Sequence, residues 1–426
     1  MPSNIFVMGL DLLNLESLLA LSDEFRFNRL LSIEELQEGE RIPFTDLLDK
    51  ATAELEAFDG PIDAIVGYWD FPISSMVPIL AERFGVPGAP LRSVIACEHK
   101  YWSRLEQQKV IKEYPRFAYL DPDDAASVDQ LDIRPPYWVK PVKAFSSELA
   151  FRIDSHEELR ERMGEIRERI GRVAEPFDHV LSLVDLPPEV ERVGARACIA
   201  EEAATGHQVT VEGYRAGPDA DPCVYGVVDS LLHPEAHSFE RFQYPSSTPQ
   251  PVQDRMADVA ARVVRQVGLA WSTFNIEFFW DPDSDQITLL EINPRHSQSH
   301  AKLFEHVDGM PNHRYMVDLG LGRTPAPARA CGQYRVAAKW FLRHVGDGEV
   351  VRAPSDQERD AAERAVPGVA IDVIVSEGDR LSELHDQDSY SFKLAQIYIG
   401  AGDERELRAK YQRCCDMLPF DVRPRS

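Results

Sequence analysis

Residues 273–300, TFNIEFFWDPDSDQITLLEINPRHSQSH, bring three hard oxygen donors and a cation close together in the chain. Phe274, Ile276, Phe278 and Trp280 alternate with Asn275 and Glu277, the period of a strand with one buried face, and residues 287–293 make a second apolar run. Asp281-Pro282-Asp283-Ser284-Asp285 between them reads as a turn. A hairpin folded symmetrically about Ser284 sets Glu277 opposite Glu291, with Asn293 on the same face two residues on. Opposed carboxylates repel unless one is protonated or a cation lies between them, and carboxylate and carboxamide oxygens are the ligands a hard ion such as Mg²⁺ takes. The spacing also allows a solvated polar face with the register shifted by one. Arg295 favours the metal, because a guanidinium two residues past the ligands suits an anion bound to that metal.

The 426 residues, 44% of them hydrophobic, have room for about two to four domains with real cores. A net charge of −25, from 46 basic and 71 acidic residues, argues against nucleic acid or an anionic membrane as a partner. The six cysteines (Cys97, Cys198, Cys223, Cys331, Cys414, Cys415) show neither a zinc spacing nor a small disulfide framework, so a reducing cytoplasm is expected. The stretch IFVMGL is interrupted by Asp11 and lacks a basic n-region and a cleavage site. No run of about 18 apolar residues occurs, so neither an export signal nor a membrane span is expected.

These functional residues need elements to carry them. Residues 5–10 read as a buried strand, 12–21 as a helix, 63–67 as a strand and 74–84 as a helix closed by Gly85, which predicts an N-terminal parallel α/β domain over residues 1–92. The loop Tyr68-Trp69-Asp70-Phe71-Pro72 follows a strand's carboxyl end, where such sheets bind ligands; it suits a substrate or aromatic packing against a neighbouring domain. After a Pro/Asp-rich connection at 115–136, residues 137–142 form a strand holding Lys140, whose charge must find an anion or solvent. Residues 155–170 form a charged helix, and a strand from Cys198 ends in Glu201 and Glu202 before a turn at Gly206. Residues 208–214 resume strand alternation, and an amphipathic helix at 252–267, closed by Gly268, leads into the hairpin. Past residue 325, short strands at 336–342, 370–375 and 391–399 and a helix at 403–418 suggest a separate, small C-terminal α+β domain, 326–426.

Lys100 in CEHK, Lys140 in YWVKP, Glu201-Glu202 before Gly206, then Glu277, Glu291, Asn293 and Arg295 form an ordered set that resembles the ATP-grasp superfamily. Members of that superfamily activate a carboxylate with ATP as an acyl phosphate and pass the acyl group to a nucleophile. The resemblance covers residues 87–325. It implies an ATP-grasp core at 93–325, built of two α+β subdomains with a mobile lid at about 113–203. It further implies that Lys100 and Lys140 hold the α- and β-phosphates of ATP, that the backbone and carboxylates of the hinge acids Glu201 and Glu202 meet the adenine amino group, and that Ala204 lies beside them. Gln208 stands at the ribose position. Glu277, Glu291 and Asn293 are then ligands of Mg²⁺, two ions or Mn²⁺ being compatible, and Arg295 steadies the transferring phosphoryl group.

Three departures bear on this. The phosphate loop, usually glycine-rich, is Val142-Lys143-Ala144-Phe145-Ser146-Ser147, so Ser146 and Ser147 with backbone amides, and with help from Lys143, would close over the phosphates. Gln208 stands where an acid is common, and His296-Ser297-Gln298-Ser299-His300 replaces glycines. Biotin-dependent carboxylases place a glutamate before the histidine here, whereas this chain has Ser299 before His300 and no biotin-acceptor Met-Lys-Met signal. The expectation is therefore a cytoplasmic carboxylate–amine ligase forming ADP and phosphate, with small-molecule carboxylate and amine substrates, an amino acid among them, and with a homodimer compatible with the family. The alternatives are carboxylase-like phosphorylation of bicarbonate and a nucleotide-binding regulatory module without catalysis.

Overall fold

The computed structural model describes residues 2–37, 41–124, 126–144, 149–233, 238–384 and 391–424. A parallel three-stranded sheet, ordered β2-β1-β3, is formed by β1 (Ser3–Met8), β2 (Phe25–Leu30) and β3 (Ala64–Val66). The expected helices follow β1 and β3 at Leu12–Leu19 and Ile73–Phe84, the second closed by Gly85 at φ +68°. Strand β2, FRFNRL, escapes the sequence reading because its two arginines and an asparagine dilute the apolar signal.

An antiparallel sheet follows, ordered β4-β7-β5-β6, from β4 (Phe117–Leu120), β5 (Tyr137–Pro141), β6 (Phe151–Ile153) and β7 (Cys198–Glu202). Tyr137, Val139, Cys198 and Ala200 turn one face into a core shared with Leu159, Ile166 and Phe177 of the helices His156–Arg169 and Gly171–Leu181. Lys140 therefore lies on an interior strand, not an edge, and needs a partner on the other face.

The largest sheet has eight strands in the order β12-β11-β8-β9-β10-β13-β16-β15. They are β8 (His207–Arg215), β9 (Cys223–Leu232), β10 (Phe239–Tyr244), β11 (Ser272–Asp281), β12 (Gln286–Asn293), β13 (Val336–His344), β15 (Val369–Val373) and β16 (Phe392–Ala401). A ribbon of β14 (Gly348–Arg352) and β17 (Asp421–Pro424) stands apart. The C-terminal strands, read from sequence as a separate unit, continue the sheet, because β13 pairs with β10 along Ala337–Trp340 and uses backbone groups that would otherwise be an open edge.

One face of this sheet is apolar. Val209, Val211, Ile276 and Phe278 pack on Met256, Val259 and Val263 of the helix Gln250–Val267, while Trp340, Ile397 and Ile399 pack on Leu407 and Cys414 of the helix Glu404–Met417. Full burial of such aliphatic side chains contributes about 1.5–3 kcal/mol each and fixes the strand parity. By the pairing, Gln208, Glu212, Asn275, Glu277, Glu291, Phe242, Lys339 and Tyr398 share the opposite face. No helix among the described residues is long and apolar enough to cross a membrane.

Candidate active site

The hairpin forms as the alternation predicts, and Glu277 pairs with Glu291. The symmetry behind that expectation holds only at the root. Near the tip Phe278 pairs with Leu289 and Trp280 with Ile287, a register centred between Asp283 and Ser284. An extra residue, Leu290, bulges out and moves the centre to Ser284, which brings Glu291 across from Glu277 and Asn293 across from Asn275.

Arg104 holds that bulge. Its guanidinium donates to the carbonyls of Leu289 and Leu290 at 3.1 and 2.6 Å, to Gln107 Oε1 at 2.6 Å and to Glu201 Oε1 at 2.6 Å, and it is buried. Arg104 lies four residues after Lys100 on the helix Lys100–Gln108, so both occupy one helix face, the one signal that could have found it in the sequence. Lys100 begins this helix, where a cation opposes the helix dipole. Its Nζ donates to Glu291 Oε1 at 2.7 Å and to the Ala144 carbonyl at 2.9 Å.

The two carboxylates of the hairpin differ in charge state. Burial and then the facing Glu291 push Glu277 up to about 7, against the pull of Arg295 and Lys140. Burial also opposes the charge of Glu291, but Lys100 and then Lys140 hold it below the usual carboxylate range. Gln208 Nε2 donates to Glu277 Oε2 at 2.8 Å, and Asn293 Nδ2 to Asn275 Oδ1 at 3.2 Å. No cluster of three His, Cys, Asp or Glu able to hold a metal occurs among the described residues. Two carboxylates and an amide nonetheless fit Mg²⁺, which commonly takes only one or two protein carboxylates and completes its shell with phosphate and water. Burial and the facing charge of Glu291 together disfavour the anion of Glu277, and such an ion would relieve both.

Behind this pair lies Glu212, a residue the sequence reading missed although it has the strand parity of Gln208. It is fully buried and accepts from Asn275 Nδ2 (3.0 Å), Ser297 N (3.0 Å), Tyr225 Oη (2.6 Å) and Asn312 Nδ2 (3.3 Å), with His300 Nδ1 at 2.9 Å. Glu212 thereby fixes Asn275 and the start of the 297–300 segment.

Arg295 makes a two-pronged ion pair with Asp70 of the 68–72 loop, Nε to Oδ1 at 2.9 Å and Nη2 to Oδ2 at 2.8 Å. Burial opposes the charge on Asp70, yet Arg295, then Lys143 and Lys100, hold it below its ordinary range. Of the two uses weighed from sequence the structure shows the packing: Phe71 is fully buried against Phe44 and Phe177, while Asp70 is taken by Arg295. Next to Arg295, His296 Nε2 donates to His313 Nδ1 at 2.9 Å and His313 Nε2 to Asn14 Oδ1 at 2.9 Å, while Asn14 Nδ2 donates to Asp11 Oδ2 at 2.7 Å. An amide oxygen can only accept, so the direction of every proton in this chain is fixed, and the first parallel sheet is tied to the hairpin.

The structure places the two hinge acids differently. Glu201 is buried, with its carboxylate taken by Arg104 and by Lys140 Nζ at 2.8 Å; burial opposes its charge, but these two cations hold it down at about 2. Its carboxylate is not open to a ligand as the resemblance implies, because the buried Arg104 and the half-buried Lys140 already neutralise it. Glu202 and Ala204 line a cavity of about 870 Å³ with Tyr114, Asp258 and Thr288, and none of Lys100, Lys140, Glu277 or Glu291 lines it. Gly206 (φ +107°) abuts the Trp280 backbone so closely that a Cβ would sit 2.2 Å from its carbonyl oxygen. Lys143 turns inward to Glu98 at 3.1 Å, away from the role expected for it, since Glu98 is buried and needs a cation. Ser146 and Ser147 lie outside the described residues.

Residues 244–325, which include the helix Gln250–Val267 and the whole hairpin, match the family model "Carbamoyl-phosphate synthase L chain, ATP binding domain". A carbamoyl phosphate synthase large chain from Kocuria rhizophila is 39% identical over 70 residues, which is 16% of this chain and 6% of that protein. Over 99% of both chains, the structure superposes on an L-amino acid ligase from Bacillus licheniformis with a TM-score of 0.74 at 14% identity. The chain has the ATP-grasp fold. A second ATP-grasp structure, the biotin carboxylase domain dimer of the Hydrogenobacter thermophilus 2-oxoglutarate carboxylase in complex with MgADP and bicarbonate, gives a TM-score of 0.67 at 12% identity, over 98% of this chain and 90% of that one. Both ligase and carboxylase relatives thus share this ATP-grasp architecture, and the polar face described above lies within it.

Proposed function

We propose that this chain is an ATP- and Mg²⁺-dependent ligase that activates a small carboxylate, an amino acid being the class we favour, as an acyl phosphate and couples it to an amine. The observation that carries this reading is the charge arrangement of the hairpin: Glu277 and Glu291 face each other with Lys100 on one side and Arg295 on the other. That set suits a polyphosphate with its cation. Similarity over the full length of an L-amino acid ligase supports the choice of carboxylate, and Ser299 in place of an acid before His300 argues for an amine acceptor over bicarbonate.

In this reading Glu277, Glu291 and Asn293 hold Mg²⁺, which supplies neutralisation of phosphate charge. With the ion bound, Glu291 would no longer need Lys100, and that ammonium would be free for a phosphate, as would Lys140 beside it. Arg295 lets go of Asp70 to meet the transferring group. A carboxylate oxygen of the substrate attacks the γ-phosphorus and ADP leaves; the amine nitrogen then attacks the acyl carbon, and phosphate leaves as the nitrogen loses its proton. Adenine would be met by the backbone of Glu202 and Ala204, given how Glu201 is engaged, with Gln208 near the ribose. The reading divides the chain near residues 92 and 325, with a lid at about 113–203, and places the enzyme in the cytoplasm, with a homodimer as in the carboxylase relative.

The test is an ADP and phosphate release screen of carboxylate and amine pairs, with bicarbonate as one arm. ADP and phosphate formed only with a carboxylate–amine pair support the ligase. AMP and pyrophosphate would overturn the acyl phosphate, and turnover with bicarbonate alone would replace the ligase by a carboxylase.

A further inference from the structure

Lys339, on β13, lies on the same face of the large sheet as Glu277. It pairs with Phe242, Phe242 with Ser230, and Ser230 with Gln208, so Lys339 and the Gln208 that touches Glu277 occupy one row across four strands. At the usual strand spacing this row is about 14 Å long. Lys339 is buried, and its Nζ donates to Ser299 Oγ at 3.0 Å. Ser299 is half-buried and belongs to the short segment that begins at Arg295.

Among the described residues the other two buried lysines each have a carboxylate, Lys100 at 2.7 Å and Lys143 at 3.1 Å. Lys339 has none at ion-pair distance among the described residues. Its neighbours are the rings of Phe341 and Tyr398, 5.1 and 5.3 Å from Nζ to centroid, and one hydroxyl. Burial, and then the nearby Lys393, push its ammonium down to about 7, with Asp372 pulling weakly the other way. A buried cation with no counter-ion is costly, and an anion arriving beside it would relieve that cost.

We propose that Lys339 and the Ser299 hydroxyl bind the carboxylate of the acceptor amine, so that the acceptor is itself an amino acid, held by the acid group that does not react. This rests on the ligase reading above. The donor carboxylate must lie at the phosphates beside Lys100 and Glu291, whereas Lys339 stands three strands away from Gln208, joined to Arg295 only through the 295–299 segment. Two aromatic rings within 5.3 Å of the buried Nζ lower the local dielectric, which strengthens a carboxylate contact there.

The experiment measures ADP release by wild type, Lys339→Met and Lys339→Arg with α- and ω-amino acids and their amides as acceptors, alongside KM for ATP. Wild type should prefer acids to amides by tenfold or more. Lys339→Met should lose that preference through a raised acceptor KM, with KM for ATP within twofold, and Lys339→Arg should recover part of it. A Lys339→Met enzyme that still prefers acids, or a wild type that never did, overturns the proposal. Should wild type release no ADP with any pair, the ligase reading fails on its own. Calorimetry of the same acids and amides on the Mg²⁺–ADP complex then decides the subsite: acid binding that Lys339→Met abolishes upholds it, and no binding, or unchanged binding, overturns it.

Discussion

Two glutamates on neighbouring sheets, Glu201 buried and Glu277 half-buried, meet opposite fates. Glu201, on the four-stranded sheet, sits between Arg104 and Lys140 and is held at about 2; Glu277, on the hairpin, faces Glu291 and is pushed up to about 7. Burial raises both, so the difference comes from counter-charges. A carboxylate whose charge the protein itself neutralises is part of the framework. One left in excess points to something that arrives from outside, and this separates the tie between hinge and hairpin from the proposed metal end.

The sharpest way to break the comparison is Glu291→Ala, which removes the ligand side of the hairpin. Turnover should fall on the order of 10³-fold or more while nucleotide binding without Mg²⁺ survives, as followed by nucleotide fluorescence. Normal turnover would remove the metal site from the proposal.

Next in size is the framework side. Arg104→Met leaves Glu201 with Lys140 alone and frees the Leu290 bulge, a loss of about 3 kcal/mol by the rule for a broken buried ion pair. A lowered thermal midpoint should come with a raised Mg²⁺ requirement, because the bulge is what places Glu291 opposite Glu277. A change in midpoint alone would show that Arg104 does not set that register.

Glu277→Gln should act in the opposite direction on stability. A carboxyl whose folded pKa is raised costs nothing below its unfolded value near 4.5 and costs most above about 7. The ligand-free variant should therefore gain about 2 kcal/mol at pH 8 and little at pH 4.5, measured by thermal melts at both pH values. Glu201→Gln should show the reverse. Its contribution is present above pH 4.5 and fades as pH falls toward 2, so the variant is the less stable protein at pH 8. Equal pH profiles for the two variants would void the distinction between them.

The smallest effect tests the amide. Asn293→Asp adds a third acid to the set and should lower the Mg²⁺ concentration for half-maximal activity a few-fold, since ligand charge tunes affinity for hard cations. A higher requirement would place Asn293 outside the ion's shell.

Alternation and turn chemistry were enough to read from the sequence the hairpin, the helix Gln250–Val267 with its Gly268 stop, and β1 and β3 with the helices that follow them, because these depend on neighbours in the chain. What only the tertiary structure decided depends on residues far apart. The bulge at Leu290 is held by an arginine 186 positions away, and Arg295 meets an aspartate 225 positions away. The pairing of β13 with β10, which continues one sheet into the C-terminal strands and sets Lys339 on the face of Glu277, has no local signature, since any strand edge could have been its partner. Charge balance is likewise a sum over space: the sequence shows Glu201 and Glu277 as two glutamates at strand positions, and only the positions of Arg104, Lys140 and Glu291 around them make one a fixed anion and the other a carboxyl whose charge is disfavoured.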